Sequence, residues 1–214
     1  MGGSYKEPWV SLNKETGIIT FNWDPDTNEK SYVDLGLPSG NLWAISNLPK
    51  SFYRWGELEG TTLTATISAS TYRWGSDLTK YNNTDNLTKL QLEDDAARII
   101  YGGDWCIPTC ADFEELFENT TINNTGSLYV TLKSNINGRT ITFLKYGSKD
   151  STATNSYGQG SGTYGYYWTS ELKSENISKA CCAVIGDNLK VVDSTNGHNR
   201  YYALCVRPII RRIW

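Results

Sequence analysis

The stretch "NRYYALCVRPII", Asn199 to Ile210, decides how this chain is read. Its residues alternate with the period of a strand. That puts Tyr202, Leu204 and Val206 on one face and Tyr201, Ala203, Cys205 and Arg207 on the other. One face is expected to close a core. The start of the strand, with Gly197, His198, Asn199 and Tyr201, is expected to reach a partner.

Upstream, "SLYVTLKS", "RTITFLKY", "YGYYWTSEL", "KACCAVIG" and "LKVVDS" read as further short strands, separated by clusters of Asn, Gly and Ser. Before Asn119 two segments read as helices. "LEDDAARIIYGG" starts on acids, which suit a helix N-terminus, and ends on glycines, which suit a C-cap. "PTCADFEELFEN" offers Thr109 as N-cap with Asp112 three residues on, and sets Phe113, Leu116 and Phe117 on one apolar face. Near the start, "WVSLNKETGIITFNW" reads as two strands around a turn at Asn13 to Gly17. The polar, proline-broken run Asp24 to Lys30 reads as a linker. The expected organisation is an N-terminal segment over residues 1–30 and one domain over 31–214. Its class is α+β, with two short helices, antiparallel strands and high loop content. The long Gly, Ser, Thr and Asn stretch from Gly147 to Gly165 reads as functional or disordered. The fragments Tyr53-Arg54-Trp55-Gly56 and Tyr72-Arg73-Trp74-Gly75 echo each other but are too short to be a repeat architecture.

Composition narrows the function classes. Eight Trp and fourteen Tyr stand against one Met, so much of the apolar mass carries a polar atom that needs a partner. A net charge of −3 provides no basic field for nucleic acid. No run approaches the roughly 18 apolar residues of a membrane span. No signal-peptide core is visible at the start. Five cysteines, Cys106, Cys110, Cys181, Cys182 and Cys205, and the single histidine, His198, give no zinc-site spacing, so no metal and no cofactor are expected. Glu93, Asp94 and Asp95 are more economically read as helix-capping acids than as a catalytic pair. His198 sits in a polar loop, "STNGHNR", without an identifiable acid or nucleophile beside it in sequence. No catalytic residue is assigned, and no enzyme is expected.

Several motifs then fall in order: "YVDLGLPSGNLWA" (32–44), "YRWGE" (53–57), "LEDDAARIIYGGDWCIPTCADFEEL" (92–116), "GYYWTSEL" (165–172) and "NRYYALCVRPI" (199–209). Together they resemble the paralogous surface-protein domain abundant in Fibrobacter and gut Bacteroidetes. The resemblance covers most of the chain, from about Tyr32 to Ile209. It implies a C-type-lectin-like fold, related to that of formylglycine-generating enzymes and shared with the variable proteins of diversity-generating retroelements. It also implies that Trp43, Trp105 and Trp168 lie in or near the core. Cysteine at positions 106 and 205 departs from the family pattern, which looks basic and serine there. The cysteine pair of the oxidase relatives is not matched by adjacent Cys181 and Cys182. The calcium-lectin tripeptides Glu-Pro-Asn, Gln-Pro-Asp and Trp-Asn-Asp do not occur.

Between Tyr157 and Tyr202 the chain mixes Tyr, Ser, Gly, Asn and Thr, the composition of antibody paratopes. The expected ligand-binding residues are Tyr164, Tyr166, Asn188, Ser194, Asn196, Gly197, His198, Asn199 and Tyr201. The expected function is a non-enzymatic ligand- or receptor-binding (adhesion) module, a retroelement-diversified variable protein at a cell surface or on a phage virion. Its expected partner is a protein or glycan receptor. The rival readings are a structural domain of a bacterial surface lipoprotein, and an oxidase-like enzyme on the formylglycine-generating-enzyme fold. In the diversified reading, adenine-directed substitution at the first two positions of AAC-type Asn codons can yield residues such as Tyr, His, Asp, Ser, Gly, Cys or Asn. It never yields Lys or Trp, so Lys190 and Trp168 are expected to be fixed scaffold, and Tyr202 to point inward.

Overall fold

The computed structural model describes residues 9–22, 30–49, 52–61, 66–149, 162–173 and 175–212. The expected linker, apart from Lys30, and most of the stretch between Gly147 and Gly165 lie outside the described residues. In chain order the first strands are β1 (Trp9–Asn13), β2 (Ile18–Asn22), β3 (Lys30–Val33), β4 (Leu42–Ala44) and β5 (Tyr53–Arg54). Helix α1 (Ala96–Tyr101), β6 (Trp105–Cys106) and helix α2 (Cys110–Glu118) follow. The remaining strands are β7 (Thr120–Gly126), β8 (Tyr129–Ser134), β9 (Thr140–Leu144), β10 (Tyr164–Lys173), β11 (Asn176–Gly186), β12 (Leu189–Asn199), β13 (Ala203–Leu204) and β14 (Ile209–Ile210). The chain is mostly antiparallel strand with two short α-helices.

Helix α2 forms for the reason its sequence gives. The Thr109 side chain accepts from the Asp112 backbone N–H, and Asp112 Oδ2 accepts from the Thr109 N–H at 2.7 Å, a reciprocal capping box. Phe113, Leu116 and Phe117 are buried on its inner face. At its other end the Lys190 ammonium donates to the carbonyls of Phe117 and Thr120, satisfying oxygens that a helix end leaves open. The first helical segment is shorter than its sequence suggests. Leu92–Asp94 form a single 3₁₀ turn, and Asp95 has extended backbone and caps α1 by accepting from the N–H groups of Ala97 and Arg98. Gly102, at φ 71°, ends it.

Six strands form one sheet in the order β1-β2-β3-β4-β14-β6. The β1–β2 hairpin therefore continues directly into it, with Ile18 opposite Val33. Two three-stranded sheets, β7-β8-β9 and β10-β11-β12, and the short pair β13-β5 complete the set. The C-terminal segment binds the whole together: β14 lies between β4 and β6, and β13 pairs with β5.

The expectation for the last strand needs correction. It is broken into β13 and β14, with Val206, Arg207 and Pro208 outside any strand. Proline has no N–H to give a ladder. Every residue from Ala203 to Ile209 is buried, so both faces are core. The alternation itself sorts correctly. Ala203, Cys205 and Ile209 pack in a first core with Trp43, Phe113 and Phe143, while Leu204 and Val206 pack in a second with Trp55, Trp74 and Trp168. The sheet β10-β11-β12 separates the two cores. Tyr167, Ala183 and Ile185 enter the first, and Trp168, Cys182 and Val184 enter the second. Trp43, Trp105 and Trp168 are all buried.

Candidate functional site

The register of β10-β11-β12 builds one face from the residues upward. Tyr164 lies opposite Gly186, Tyr166 opposite Val184, and Trp168 opposite Cys182. On the other side Val184 faces Val191, and Cys182 faces Asp193. Directly opposed residues share a face, and so do residues two apart on a strand. Trp168, Cys182 and Val184 are covered by the second core. Tyr164, Tyr166 and Asp193 are only half-buried, and Val191 is 42 % exposed. The face thus emerges from beneath the core into solvent.

A bulge shapes the edge of this face. Cys182 pairs with Asp193, but Ala180 pairs with His198, so Ser194, Thr195, Asn196 and Gly197 stand opposite the single residue Cys181. The Asn196 N–H donates to Asp193 Oδ1 at 2.8 Å and closes the loop. Gly197 has φ +57°, and a Cβ there would come within 2.7 Å of the Ala180 carbonyl oxygen. His198 returns over the sheet onto the Tyr166 ring, with centroids 5.0 Å apart. From there a run of edge-to-face rings continues, Tyr164–Tyr166 at 6.4 Å, His198–Tyr202 at 6.1 Å and Tyr202–Tyr201 at 5.0 Å. Asn199 Nδ2 donates to Tyr201 Oη at 3.4 Å.

Of the residues expected from sequence, Ser194 and Asn196 are exposed on the bulge. Tyr164, Tyr166, Gly197, His198, Asn199 and Tyr201 are half-buried along the ribbon. Asn188 is exposed but stands apart, in the turn between Gly186 and Leu189. Two residues of the face, Val191 and Asp193, were not singled out by sequence reasoning, and Cys182 was considered only as one of five thiols. Tyr202, assigned inward, is half-buried and joins the ribbon while packing on the second core. The signal for Val191 was present, since it falls in phase with Tyr166 once the hairpin turn at Asn188 is placed.

The framework behind the face is locked by buried cations. Arg200 is 0 % exposed and lies three residues beyond the bulge. Its guanidinium lies 5.0–5.8 Å from the ring centroids of Trp55, Trp74, Tyr72 and Tyr81. It donates to the carbonyls of Tyr81, Ile177 and Lys80 and to Tyr72 Oη. No carboxylate pairs with it among the described residues. The two Tyr-Arg-Trp-Gly fragments supply this cage together. Gly56, at φ +73°, leaves the space in which the Trp74 ring sits, since a Cβ there would lie 2.2 Å from it. Glu57 ties the copies by accepting from Arg54 Nε and from the Arg73 N–H. Arg207, also buried, spans β4 and β9 by donating to the carbonyls of Ala44, Ile45 and Thr142 and to Asn47 Oδ1. Trp168 Nε1 donates to the Tyr53 carbonyl at 2.7 Å.

Chain-wide, no protein-family model, no curated protein and no solved structure matches this protein.

Two of the acids flagged in the sequence, Asp94 and Asp95, are held by internal partners. Asp95 is occupied by three backbone N–H groups, those of Ala97, Arg98 and Ile107, and burial raises its pKa. Asp94, fully buried, receives Tyr81 Oη at 2.7 Å, Arg73 at 2.8 Å and Lys80 at 2.5 Å. A cleft beside α1 and β6 is lined by Lys89, Arg98, Cys106, Ser170 and Arg211. On the ribbon face a different group comes together. The Cys182 sulfur, an Asp193 carboxylate oxygen and a His198 ring nitrogen all lie within 4.8 Å of one another. As a nucleophile Cys182 is ill placed, because it is fully buried and burial pushes its thiol well above the ordinary value. Burial also lowers the pKa of His198.

Proposed function

We propose that the chain is a non-enzymatic ligand- or receptor-binding module whose binding surface is the ribbon from Tyr164 to Tyr201 with the adjoining bulge. The supporting observation is the pairing of a continuous half-exposed aromatic ribbon with an exposed Ser194–Asn196 edge, directly above a locked framework. Tyrosines that keep few rotamers give contact area at low entropic cost, and short polar side chains beside them adapt their hydrogen bonds. A framework held by Arg200, Lys190 and Trp168 tolerates change at the edge without moving. The mixed, mostly antiparallel architecture and the sequence motifs favour a C-type-lectin-like fold. Within that reading the chain is a retroelement-diversified variable protein at a cell surface or on a virion, with a protein or glycan receptor. Gly197 is the exception inside the varied set, since its backbone conformation restricts what replaces it.

The test is a binding screen against arrayed bacterial surface glycans and outer-surface proteins. It compares wild type, the double variant Tyr166→Ala/Asn196→Ala, and the control Ile136→Ser on an exposed remote turn. Binding weakened about tenfold or more by the double variant alone supports the reading, as expected for loss of an aromatic anchor. A panel that yields no binder, or equal loss in the control, overturns it. Sequencing of the native locus tests diversification: variation is expected at Asn188, Ser194, Asn196, His198, Asn199 and Tyr201, with Lys190 and Trp168 constant. Variation confined to the N-terminal half would refute it.

A further inference from the structure

We infer that Cys182, Asp193 and His198 form a three-residue binding site for a divalent transition-metal ion of the zinc class. The inference does not rest on the receptor-binding reading, although it shares His198 with that surface. It begins with strand geometry. Cys182 and Ala180 share a face of β11, and their partners Asp193 and His198 must share it with them. In a regular ladder the partner of Ala180 would be Thr195. The bulge from Ser194 to Gly197 removes the intervening residues from the face and puts the histidine there instead.

The second observation is the state of the three groups. No hydrogen bond involves the Cys182 sulfur or either His198 ring nitrogen among the described residues, and Asp193 uses only Oδ1, for the Asn196 N–H. A half-buried histidine, carboxylate and thiol within mutual reach ordinarily bond to one another or to the backbone. Here all three keep open lone pairs, and one donor atom of each lies within 4.8 Å of the others. Ligands of a tetrahedral ion at about 2.0–2.3 Å stand roughly 3.3–3.8 Å apart. Closing the gap takes rotations of Asp193 and His198, both of which retain access to solvent.

The donor set selects the metal. Thiolate, imidazole and carboxylate together suit zinc and its neighbours, whereas calcium and magnesium require mainly oxygen. Binding releases the Cys182 proton to solvent, and the cation compensates the buried thiolate left behind. Three protein ligands would leave a fourth position for water or a donor group of a bound molecule. The short loop closure explains why sequence spacing hid the site: the ligands sit at 182, 193 and 198, and one of them is a carboxylate.

The test uses the full chain, stripped with a chelator and titrated with cobalt and then zinc under reducing conditions. Expected are one cobalt ion per chain, a thiolate-to-cobalt charge-transfer band, displacement by zinc, and a rise in Tm with zinc. Losing a residue that only orients a metal ligand weakens metal sites about 10–100-fold, so Asp193→Asn and His198→Gln are each expected to cost more than ~100-fold in affinity. Cys182→Ser removes the charge-transfer band. Because Cys182 is buried and its replacement risks the fold, the two half-exposed variants carry the decision. No band in wild type overturns the inference. So does a band whose affinity survives His198→Gln, which would place the ion on the other cysteines.

Discussion

The two cores flanking β10-β11-β12 solve the same burial problem with different chemistry. The first is mainly apolar: Phe113 lies 5.0 Å from Trp43 and packs with Phe117, Phe143 and Tyr167 beneath α2, with one buried guanidinium, that of Arg207, 4.7 Å from the Phe143 ring. Area removed from water is the main stabilising term there. The second is a ring of Trp and Tyr around a buried guanidinium, and three of its polar tips are matched. Trp55 Nε1 donates to the Thr169 carbonyl, Tyr72 Oη to the Trp55 carbonyl and Tyr81 Oη to Asp94. A core held by directional bonds does not need to be sealed on every side to keep its shape. That is why its edge can run out into the Tyr166–His198 surface, while the first core is closed by the helix and three sheets.

The largest expected effect breaks this contrast at Arg200. Arg200→Met keeps the volume but leaves the carbonyls of Tyr81, Ile177 and Lys80 without their donor. The expected loss is roughly 3–5 kcal/mol by urea denaturation, the range for removing one partner of a buried charged network. Arg200→Lys is expected to recover little, because an ammonium cannot reproduce the planar fork. A loss under about 1 kcal/mol for Arg200→Met would show that the second core is held by area alone.

Next comes thiol reactivity, which reports how closed the first core is, since Cys205 lies in it and Cys106 packs against it. Burial pushes Cys205 up to about 12 and Cys106 up to about 11. The thiolate is the reactive form, so labelling of both at pH 8 in the native protein is expected to be slower than a free cysteine by on the order of 100-fold or more. In guanidinium all five thiols are expected to react rapidly. The linkage has a definite sign: folded pKa values above the unfolded value favour the native state below about pH 8.5. That contribution is lost as pH rises towards 11–12. Stability that climbs from pH 8.5 to 10 would contradict these burial assignments. Mass mapping of the labelled peptides distinguishes the two sites.

A smaller effect belongs to the first core. Phe113→Leu removes a ring from an apolar cluster without orphaning any polar atom, so about 1–1.5 kcal/mol is expected. A larger loss than for Arg200→Met would invert the ranking of the two cores.

Much of the first core was legible in sequence, because its elements are local. Thr109 and Asp112 signal a helix start by themselves, Phe113, Leu116 and Phe117 mark its face, and the apolar runs of β8, β9, β10 and β11 mark strands. The second core is built from long-range agreements that leave little local trace. Arg200 reads as the end of a polar loop, and only the fold carries it between two fragments more than a hundred positions earlier. Strand β7, "TTINNTG", has no apolar alternation, and β12 continues through polar residues to Asn199 because it pairs with β11. The site was half visible. Tyr, Ser and Asn content marked the region, but the ligand trio depends on the bulge, and bulge length is not encoded in a residue pattern.

The smallest expected effect tests the open edge itself. Val184 and Val191 are direct cross-strand partners on one face, yet Val184 is 7 % exposed and Val191 is 42 % exposed. Threonine keeps the β-branched shape and strand propensity of valine while exchanging a methyl for a hydroxyl. At Val184 the hydroxyl enters the covered part of the face, where a hydroxyl without a partner costs about 1–3 kcal/mol. At Val191 water solvates it, and the change is expected to stay within about 0.5 kcal/mol. Paired denaturation curves of Val184→Thr and Val191→Thr therefore locate the line where core becomes surface. Equal costs at both positions would mean that the Val191 end is covered in solution, and the Tyr166–His198 surface would then be unavailable to a partner.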